Sequence, residues 1–209
     1  SHVTPMVRVP WLDPGIIMKS LDAGAYGIIC PMINTSEQAS ALVDAMRYPP
    51  HGTRSFGPTR ANISAGANYA SEANENIVSF AMIETAEAVK NVDAICATKG
   101  LDGIYIGPAD LTLGVTKGSL MPGFDREEPE MIEVIKRILA AAKSRNICAG
   151  IHCGTPQYAA KAISWGFDLT TISSDVRLLA AGAGASINQT RKLIGSDLRN
   201  TSSDIKSSY

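Results

Sequence analysis

A short apolar run followed by a stretch of helical periodicity recurs along this chain, and this repeat limits its possible folds more than any other feature. The clearest helical pattern covers 129–145, where Met131, Val134, Ile135 and Ile138 follow the i, i+3, i+4, i+7 spacing. Strands that are apolar throughout, each followed by a helix, indicate a parallel sheet covered by helices. The apolar runs are MVRV (6–9), GIICP (27–31), NIVSFAMIE (76–84), LDGIYIG (101–107), ICAGIHC (147–153) and DLTTISSD (168–175).

Six strand-helix units are therefore predicted in 209 residues. An open doubly wound sheet usually carries a glycine-rich phosphate turn after its first strand, and VRVPWLDPG (7–15) contains no such turn. A (β/α)₈ TIM barrel takes about 250 residues and eight units. We predict an α/β protein that holds about six of the eight units of a TIM barrel, with the first two missing. Residues 1–195 would form this partial barrel domain, 196–209 a polar tail, and 49–74 a polar loop.

The composition favours a small-molecule ligand. A net charge of -1 gives no electrostatic reason to expect nucleic acid or an anionic membrane as partner, and no run approaches the ~20 apolar residues of a membrane span. The four cysteines, Cys30, Cys96, Cys148 and Cys153, form no CxxC pair and lie in apolar segments. We therefore expect reduced, buried thiols and a cytoplasmic location.

Charged residues stand where predicted strands end. In a parallel barrel the carboxyl ends of the strands form the active site, and Glu84 and Asp110 follow two consecutive strands, so their carboxylates can converge. Two close carboxylates repel each other unless one binds a proton or a cation lies between them. Oxygen ligands suit Mg²⁺ or Mn²⁺. Arg8, at the end of the first strand, suits a carboxylate or phosphate ligand.

Each of these residues also has a purely structural interpretation. Asp110 would cap a helix, Glu84 would lie in a first helical turn, Arg8 would form a structural ion pair, and His152 would be a hydrogen-bonded core histidine. The functional interpretation rests on three such residues at the same end of one fold. Schiff-base chemistry is disfavoured, because only Lys117 could reach the site.

Four segments resemble the metal-dependent pyruvate aldolases of the 4-hydroxy-2-oxoheptane-1,7-dioate aldolase family, whose relatives include 2-dehydro-3-deoxyglucarate aldolase and macrophomate synthase. The segments are VRVPWLDP (7–14), RYPPHGTRSFGP (47–58), MIETAEAVKN (82–91) and GLDGIYIGPADL (100–111). The resemblance covers about residues 5–195. It implies a TIM barrel and a homo-oligomer, commonly a hexamer in which a terminal helix is exchanged between subunits.

The resemblance also implies roles for individual residues. Glu84 and Asp110 would be the metal ligands. Arg8 would contact the pyruvate portion of the substrate and its developing enolate. The backbone amides around Gly107, Ala109 and Asp110 would bind the pyruvate carboxylate.

Two further positions bear on catalysis in this family. Asp22 matches an acidic residue that supports the catalytic histidine. That histidine belongs to a segment expected upstream of Ser1, and His2, His51 and His152 do not stand in its motif. Met82 occupies a position where many members have glutamine, and a thioether cannot donate a hydrogen bond.

The predicted activity is that of a metal-dependent carbon–carbon lyase. The resemblance implies an aldolase that cleaves a 4-hydroxy-2-oxo acid to pyruvate and an aldehyde through a metal-bound pyruvate enolate. Oxaloacetate decarboxylation and macrophomate synthase-like bond formation are alternatives at the same site. An alternative of another class is a non-catalytic binding or assembly subunit with an incomplete site.

Overall fold

Six parallel β-strands form one sheet, and the chain order of the strands is also their order in the sheet. The computed structural model describes residues 3–193. The strands are β1 (Met6–Arg8), β2 (Gly27–Cys30), β3 (Val78–Ile83), β4 (Gly103–Ile106), β5 (Cys148–Cys153) and β6 (Leu169–Ile172). The helices are α1 (Pro14–Asp22), α2 (Ser36–Met46), α3 (Thr59–Ala65), α4 (Tyr69–Asn76), α5 (Ala86–Lys90), α6 (Val92–Cys96), α7 (Pro108–Thr116), α8 (Pro129–Ser144), α9 (Pro156–Trp165) and α10 (Asp175–Leu193). The predicted parallel sheet with neighbouring consecutive strands is confirmed.

The sheet curls, so that its edge strands meet around one interior. In a flat sheet β1 and β6 would be roughly 24 Å apart, because neighbouring strands are about 4.8 Å apart. Instead, Met6 of β1 and Leu169 of β6 pack against the same inner cluster. The buried members of that cluster are Ile29, Phe80, Met82 and Tyr105. A curled parallel α/β sheet of this kind is consistent with the predicted TIM barrel.

The stretch 49–74 contains two helices, so its prediction as a loop was wrong. Helix α3 follows Pro58 and ends at Gly66, whose φ of +95° is readily adopted only by glycine. Tyr69 and Ala73 of α4 are buried and anchor the second helix. Neither helix has a long apolar face, which explains why periodicity did not reveal them.

Two further predictions need correction. The helix expected directly after β3 is divided into α5 and α6 at Asn91, whose side-chain amide donates to the Asn34 carbonyl at 2.9 Å. Cys148 is exposed, whereas the other three cysteines are buried as expected, and all four are free thiols. The predicted tail at 196–209 lies outside the described residues. Within 3–193, no helix is long and apolar enough to cross a membrane.

Candidate active site

A cavity of about 420 Å³ opens at the carboxyl ends of the strands. All six strands, the start of α7 and the loop before α8 contribute to its wall. The lining residues are Met6, Arg8, Ile29, Met82, Tyr105, Gly107, Pro108, Ala109, Asp110, Phe124, His152, Leu169 and Thr171. Four of the predicted site residues are among them: Arg8, Gly107, Ala109 and Asp110. No lysine lines this cavity in the described part of the chain.

Glu84 is buried beside this cavity. It follows β3 directly and precedes Thr85, the N-cap of α5, so it does not belong to the first turn of that helix. Only 2% of its surface is exposed. Its Oε1 accepts a hydrogen bond from the Met32 amide at 2.7 Å, whereas its Oε2 is buried without a partner within residues 3–193. A buried carboxylate oxygen with no donor is costly, and a bound cation would remove that cost.

The charges of Asp110 and Arg8 influence the pKa of Glu84. Burial raises the pKa of Glu84, and the nearby Asp110 carboxylate raises it further. The hydrogen bond from Met32 and the positive charge of Arg8 oppose the rise. The three residues predicted to converge are therefore near enough to influence one another.

Asp110 does not cap a helix. The N-cap of α7 is Gly107, and Asp110 lies in the first turn, where its side chain makes no capping hydrogen bond. Its carboxylate is exposed and has no hydrogen-bond or ion-pair partner among the residues the structure describes. The structural interpretation of Asp110 as a cap was therefore wrong, and its oxygens are available to a ligand.

Arg8 is also free to bind a ligand. It lines the cavity at the end of β1, and its guanidinium forms no hydrogen bond or ion pair within the described range. A structural ion pair of Arg8 is not seen within residues 3–193. Arginine donates in a planar fork that matches a carboxylate or an enolate-like pair of oxygens.

The first turn of α7 contributes backbone amides to the cavity. The Ala109 and Asp110 amides lie where a helix has no carbonyl four residues earlier to accept from them. Pro108 has no amide hydrogen. A Cβ atom added to Gly107 would lie 2.5 Å from Glu84 Oε2, so only glycine leaves room for the carboxylate in this position. This arrangement suits an anionic ligand in front of the helix and a cation beside Glu84.

The structure does not bring Asp22 to the cavity. Asp22 is the last residue of α1 and therefore lies near the beginnings of the strands, at the other end of the sheet from the cavity. Its Oδ1 accepts a hydrogen bond from Arg54 Nη2 at 2.7 Å. Arg54 is 2% exposed, and its guanidinium lies 4.5 Å from the Tyr48 ring centre. The catalytic role predicted for Asp22 stays a prediction, while its structural role is visible.

Four cavity residues that contact one another were not recognised as a unit from the sequence. His152 Nδ1 lies 2.8 Å from Thr171 Oγ1, which is also hydrogen-bonded to the Tyr105 hydroxyl. The expectation that His152 is hydrogen-bonded is thus confirmed, but its ring also borders the cavity. Phe124 packs edge-to-face on this ring at 4.4 Å between ring centres. Strand alternation could have placed His152 inward, whereas nothing local marks Phe124, which lies in a loop.

The donor set fits a hard divalent cation with two protein carboxylates. Glu84 and Asp110 are both oxygen ligands, and Mg²⁺ typically binds one or two carboxylates and fills its other positions with water or substrate. Within residues 3–193, no group of three or more His, Cys, Asp or Glu side chains could hold a metal ion. A dedicated all-protein metal cage is therefore absent from the described chain, and a two-carboxylate site is the arrangement that its residues allow.

Comparison with known proteins agrees with this geometry. The HpcH/HpaI aldolase/citrate lyase family matches residues 1–181. The hydroxypyruvate/pyruvate aldolase of Rhizorhabdus wittichii is 42% identical over 189 residues, which are 90% of this chain and 74% of that protein. The 5-keto-4-deoxy-D-glucarate aldolase of Salmonella arizonae is 36% identical over 184 residues, which are 87% of this chain and 70% of that protein.

Solved structures show the same fold. The crystal structure of an HpcH/HpaI aldolase/citrate lyase family protein from Burkholderia cenocepacia superimposes with a TM-score of 0.80 at 29% identity. The match covers 90% of this chain and 74% of that structure. The resemblance inferred from the sequence motifs is thus confirmed over most of the chain. The chain belongs to the HpcH/HpaI aldolase/citrate lyase family, and it is an enzyme of the aldolase type.

Proposed function

We propose that this protein is a divalent-metal-dependent aldolase that cleaves a 4-hydroxy-2-oxo acid to pyruvate and an aldehyde. The observation that carries the proposal is the buried, unpartnered Oε2 of Glu84 beside the free carboxylate of Asp110. The names of the relatives, which act on pyruvate, hydroxypyruvate or a keto-deoxy sugar acid, support the substrate class.

Glu84 and Asp110 would hold the metal, with Mg²⁺ or Mn²⁺ as the ion. When bound, the ion supplies a Lewis acid for the keto oxygen of the substrate. The free amides of Ala109 and Asp110 would donate to the substrate carboxylate. Gly107 keeps the space between this carboxylate and Glu84 open.

Arg8 would stabilise the charge that develops during cleavage. A base removes the proton of the 4-hydroxyl group, the bond between carbons 3 and 4 breaks, and its electron pair moves towards the keto oxygen as the aldehyde leaves. The unpaired guanidinium of Arg8 stabilises that oxygen. Protonation of carbon 3 then gives pyruvate.

The same proposal includes a complete (β/α)₈ barrel and the catalytic base that accepts the proton of the 4-hydroxyl group. The curled sheet would be six of the eight units of a (β/α)₈ barrel, and residues 1–195 its domain. The base would come from the histidine motif of the family, expected upstream of Ser1.

A homo-oligomer, as the resemblance implies, would explain the surface of α10. No residue of this helix is buried. It exposes five large apolar side chains, namely Val176, Leu178, Leu179, Ile187 and Leu193. Exposed apolar patches of this kind mark protein–protein contacts in many soluble proteins.

The metal role is tested with Glu84→Gln, which keeps the shape of the side chain and removes its charge. The matched control is Glu87→Gln, since Glu87 is exposed in α5 and its side chain has no partner among residues 3–193. Calorimetric titration with Mn²⁺ should show at least about tenfold weaker binding to Glu84→Gln. Pyruvate release from 4-hydroxy-2-oxo acids should fall in parallel, whereas Glu87→Gln should behave as the wild type.

Two results would contradict the proposal. One is unchanged Mn²⁺ affinity and activity in Glu84→Gln. The other is a wild-type protein that decarboxylates oxaloacetate but releases no pyruvate from any 4-hydroxy-2-oxo acid, because the site would then make an enolate by another reaction.

A further inference from the structure

A chain of three hydrogen-bonded side chains runs along the cavity wall formed by β4, β5 and β6. The Tyr105 hydroxyl is hydrogen-bonded to Thr171 Oγ1, and Thr171 Oγ1 lies 2.8 Å from Nδ1 of His152. The second ring nitrogen of His152, Nε2, has no hydrogen-bond partner within residues 3–193. Since His152 lines the cavity, Nε2 is the ring nitrogen left for a ligand.

The direction of each hydrogen bond among these three side chains follows from the donors and acceptors that they provide. The Tyr105 side chain is almost fully buried, and Thr171 is its one hydrogen-bond partner in the described chain. If Thr171 donated to Tyr105, the phenol proton would be buried without an acceptor, which is costly. Tyr105 therefore donates to Thr171. If Nδ1 also donated, Thr171 Oγ1 would accept twice and its own proton would have no acceptor among residues 3–193, so this proton is assigned to Nδ1 of His152, which accepts it.

This order determines the tautomer of His152. A neutral imidazole that accepts at Nδ1 carries its proton on Nε2. Burial lowers the pKa of His152, and the nearby positive charge of Arg177 lowers it further, against a smaller opposing effect of Asp125. The lowered pKa favours the neutral ring, which offers one N–H donor to the cavity.

The neighbours of His152 hold the ring in one orientation. Phe124 packs against it edge-to-face with an interplanar angle of 82°. The Arg177 guanidinium lies 5.0 Å from the centre of the Phe124 ring. A ring fixed by packing on one side and by a hydrogen bond at Nδ1 loses little further freedom when Nε2 binds a ligand.

Strand register places His152 level with the proposed metal and carboxylate sites. Ile83 pairs with Ile106, and Ile106 pairs with Ile151. One residue further along these parallel strands, Glu84, Gly107 and His152 occupy one layer. His152 is two strands away from Glu84, or roughly 10 Å. A substrate whose pyruvate half lies at β3 and β4 would therefore extend its other half towards His152.

The surroundings of His152 in the cavity are mostly apolar. Leu169, Phe124 and Met82 line the neighbouring wall, and the hydroxyls of Tyr105 and Thr171 are used by each other and by Nδ1. An N–H donor beside these apolar side chains contributes to selectivity, because a ligand without a matching acceptor leaves it unsatisfied.

We infer that His152 is a specificity-determining residue that donates a hydrogen bond from Nε2–H to an oxygen on the aldehyde-derived half of the substrate, with Thr171 as its positioning residue. The inference rests on the proposed aldolase function and adds the substrate class. A neutral donor suits a hydroxyl or carbonyl oxygen, so the preferred substrates carry a hydroxyl group beyond carbon 4. They release a hydroxyaldehyde and not an unsubstituted alkyl aldehyde.

The test compares two substrates of equal chain length, one with a hydroxyl group beyond carbon 4 and one without. For each enzyme the ratio of their kcat/KM values is measured by pyruvate release. The wild type should favour the hydroxylated substrate, and His152→Leu should lower the ratio about tenfold, as expected for the loss of one hydrogen bond. His152→Gln, whose amide donates near the position of Nε2, should retain part of the preference.

The role of Thr171 is tested by the tautomer of His152. In ¹H–¹⁵N correlation spectra that report on imidazole nitrogens, the wild-type His152 should carry its proton on Nε2. The signal is assigned by its loss in His152→Gln. Thr171→Val removes the donor to Nδ1, so it should produce a mixture of tautomers and a lower selectivity ratio.

Failure of the proposed function and failure of the inference about His152 give different experimental results. A wild-type enzyme that releases no pyruvate from either substrate would refute the proposed function, whereas the spectra would still report the proton order. The inference about His152 would be overturned by an active wild type with the proton on Nδ1. An unchanged selectivity ratio in His152→Leu would overturn it equally.

Discussion

Gly107→Ala tests whether the space beside Glu84 is needed for the site. The backbone of Gly107 has φ −96° and ψ 92°, which alanine adopts without strain, so the substitution acts only through its added methyl group. That methyl group would lie 2.5 Å from Glu84 Oε2, whereas ordinary contact begins at 3.4 Å. The Glu84 carboxylate must therefore move by roughly 0.9 Å, as contact distances require.

This movement of the Glu84 carboxylate costs an interaction or disturbs the site. Its Oε1 is held by the Met32 amide at 2.7 Å, and the side chain is buried, so a displaced carboxylate gives up either this hydrogen bond or its position beside Asp110. The second close neighbour, Met82 Cε at 2.9 Å, is the end of a flexible side chain and can turn aside. A misplacement of about 1 Å in a catalytic site can lower the rate by about a hundredfold.

We therefore expect Gly107→Ala to lower kcat/KM for pyruvate release about a hundredfold and to weaken Mn²⁺ binding by about ten- to a hundredfold. The free energy of unfolding should fall by about 1–3 kcal/mol, as for other overpacked sites. Gly57→Ala is the control, because the nearest atom to its added methyl group is 3.5 Å away. Wild-type Mn²⁺ affinity and kcat/KM in Gly107→Ala would refute the reasoning.

Three further predictions concern stability and assembly. Asp22→Asn should lower the free energy of unfolding by about 1–3 kcal/mol in urea titrations, because the buried Arg54 loses its carboxylate partner. If the folded variant keeps the wild-type kcat/KM, this result would contradict the catalytic role predicted for Asp22. The depressed pKa of His152 means that the unfolded state binds a proton more readily, so its neutral ring contributes full stability above pH 6.5 and loses it as the pH falls below that value. As the pH falls below 6.5, His152→Gln should accordingly lose less stability than the wild type or the exposed-histidine control His51→Gln. An equal dependence of stability on pH in all three proteins would contradict the lowered pKa of His152. Leu179→Lys, on the exposed face of α10, should lower the molar mass found by light scattering if that helix joins subunits, and an unchanged oligomer would argue against this role.

The sequence determined the elements that have strong local patterns. The predicted apolar runs contain strands of three to six residues, and the amphipathic stretch from Pro129 became α8, because both patterns arise from side chains close in sequence. The prediction that Glu84 and Asp110 converge also needed only local information, since consecutive strands of a parallel sheet are usually neighbours. Helices α3 and α4 were not predicted, because they bury few apolar residues and derive much of their stability from tertiary contacts.

The tertiary structure decided which of these residues face one another. The unpartnered Oε2 of Glu84 and the missing Cβ atom of Gly107 become meaningful only when the register of β3 and β4 brings them together. Asp22 pairs with Arg54, away from the cavity. The proton order at His152 depends on groups 19 to 66 residues apart in sequence. Contacts of this kind depend on inter-strand register and on side-chain packing, which no local pattern encodes.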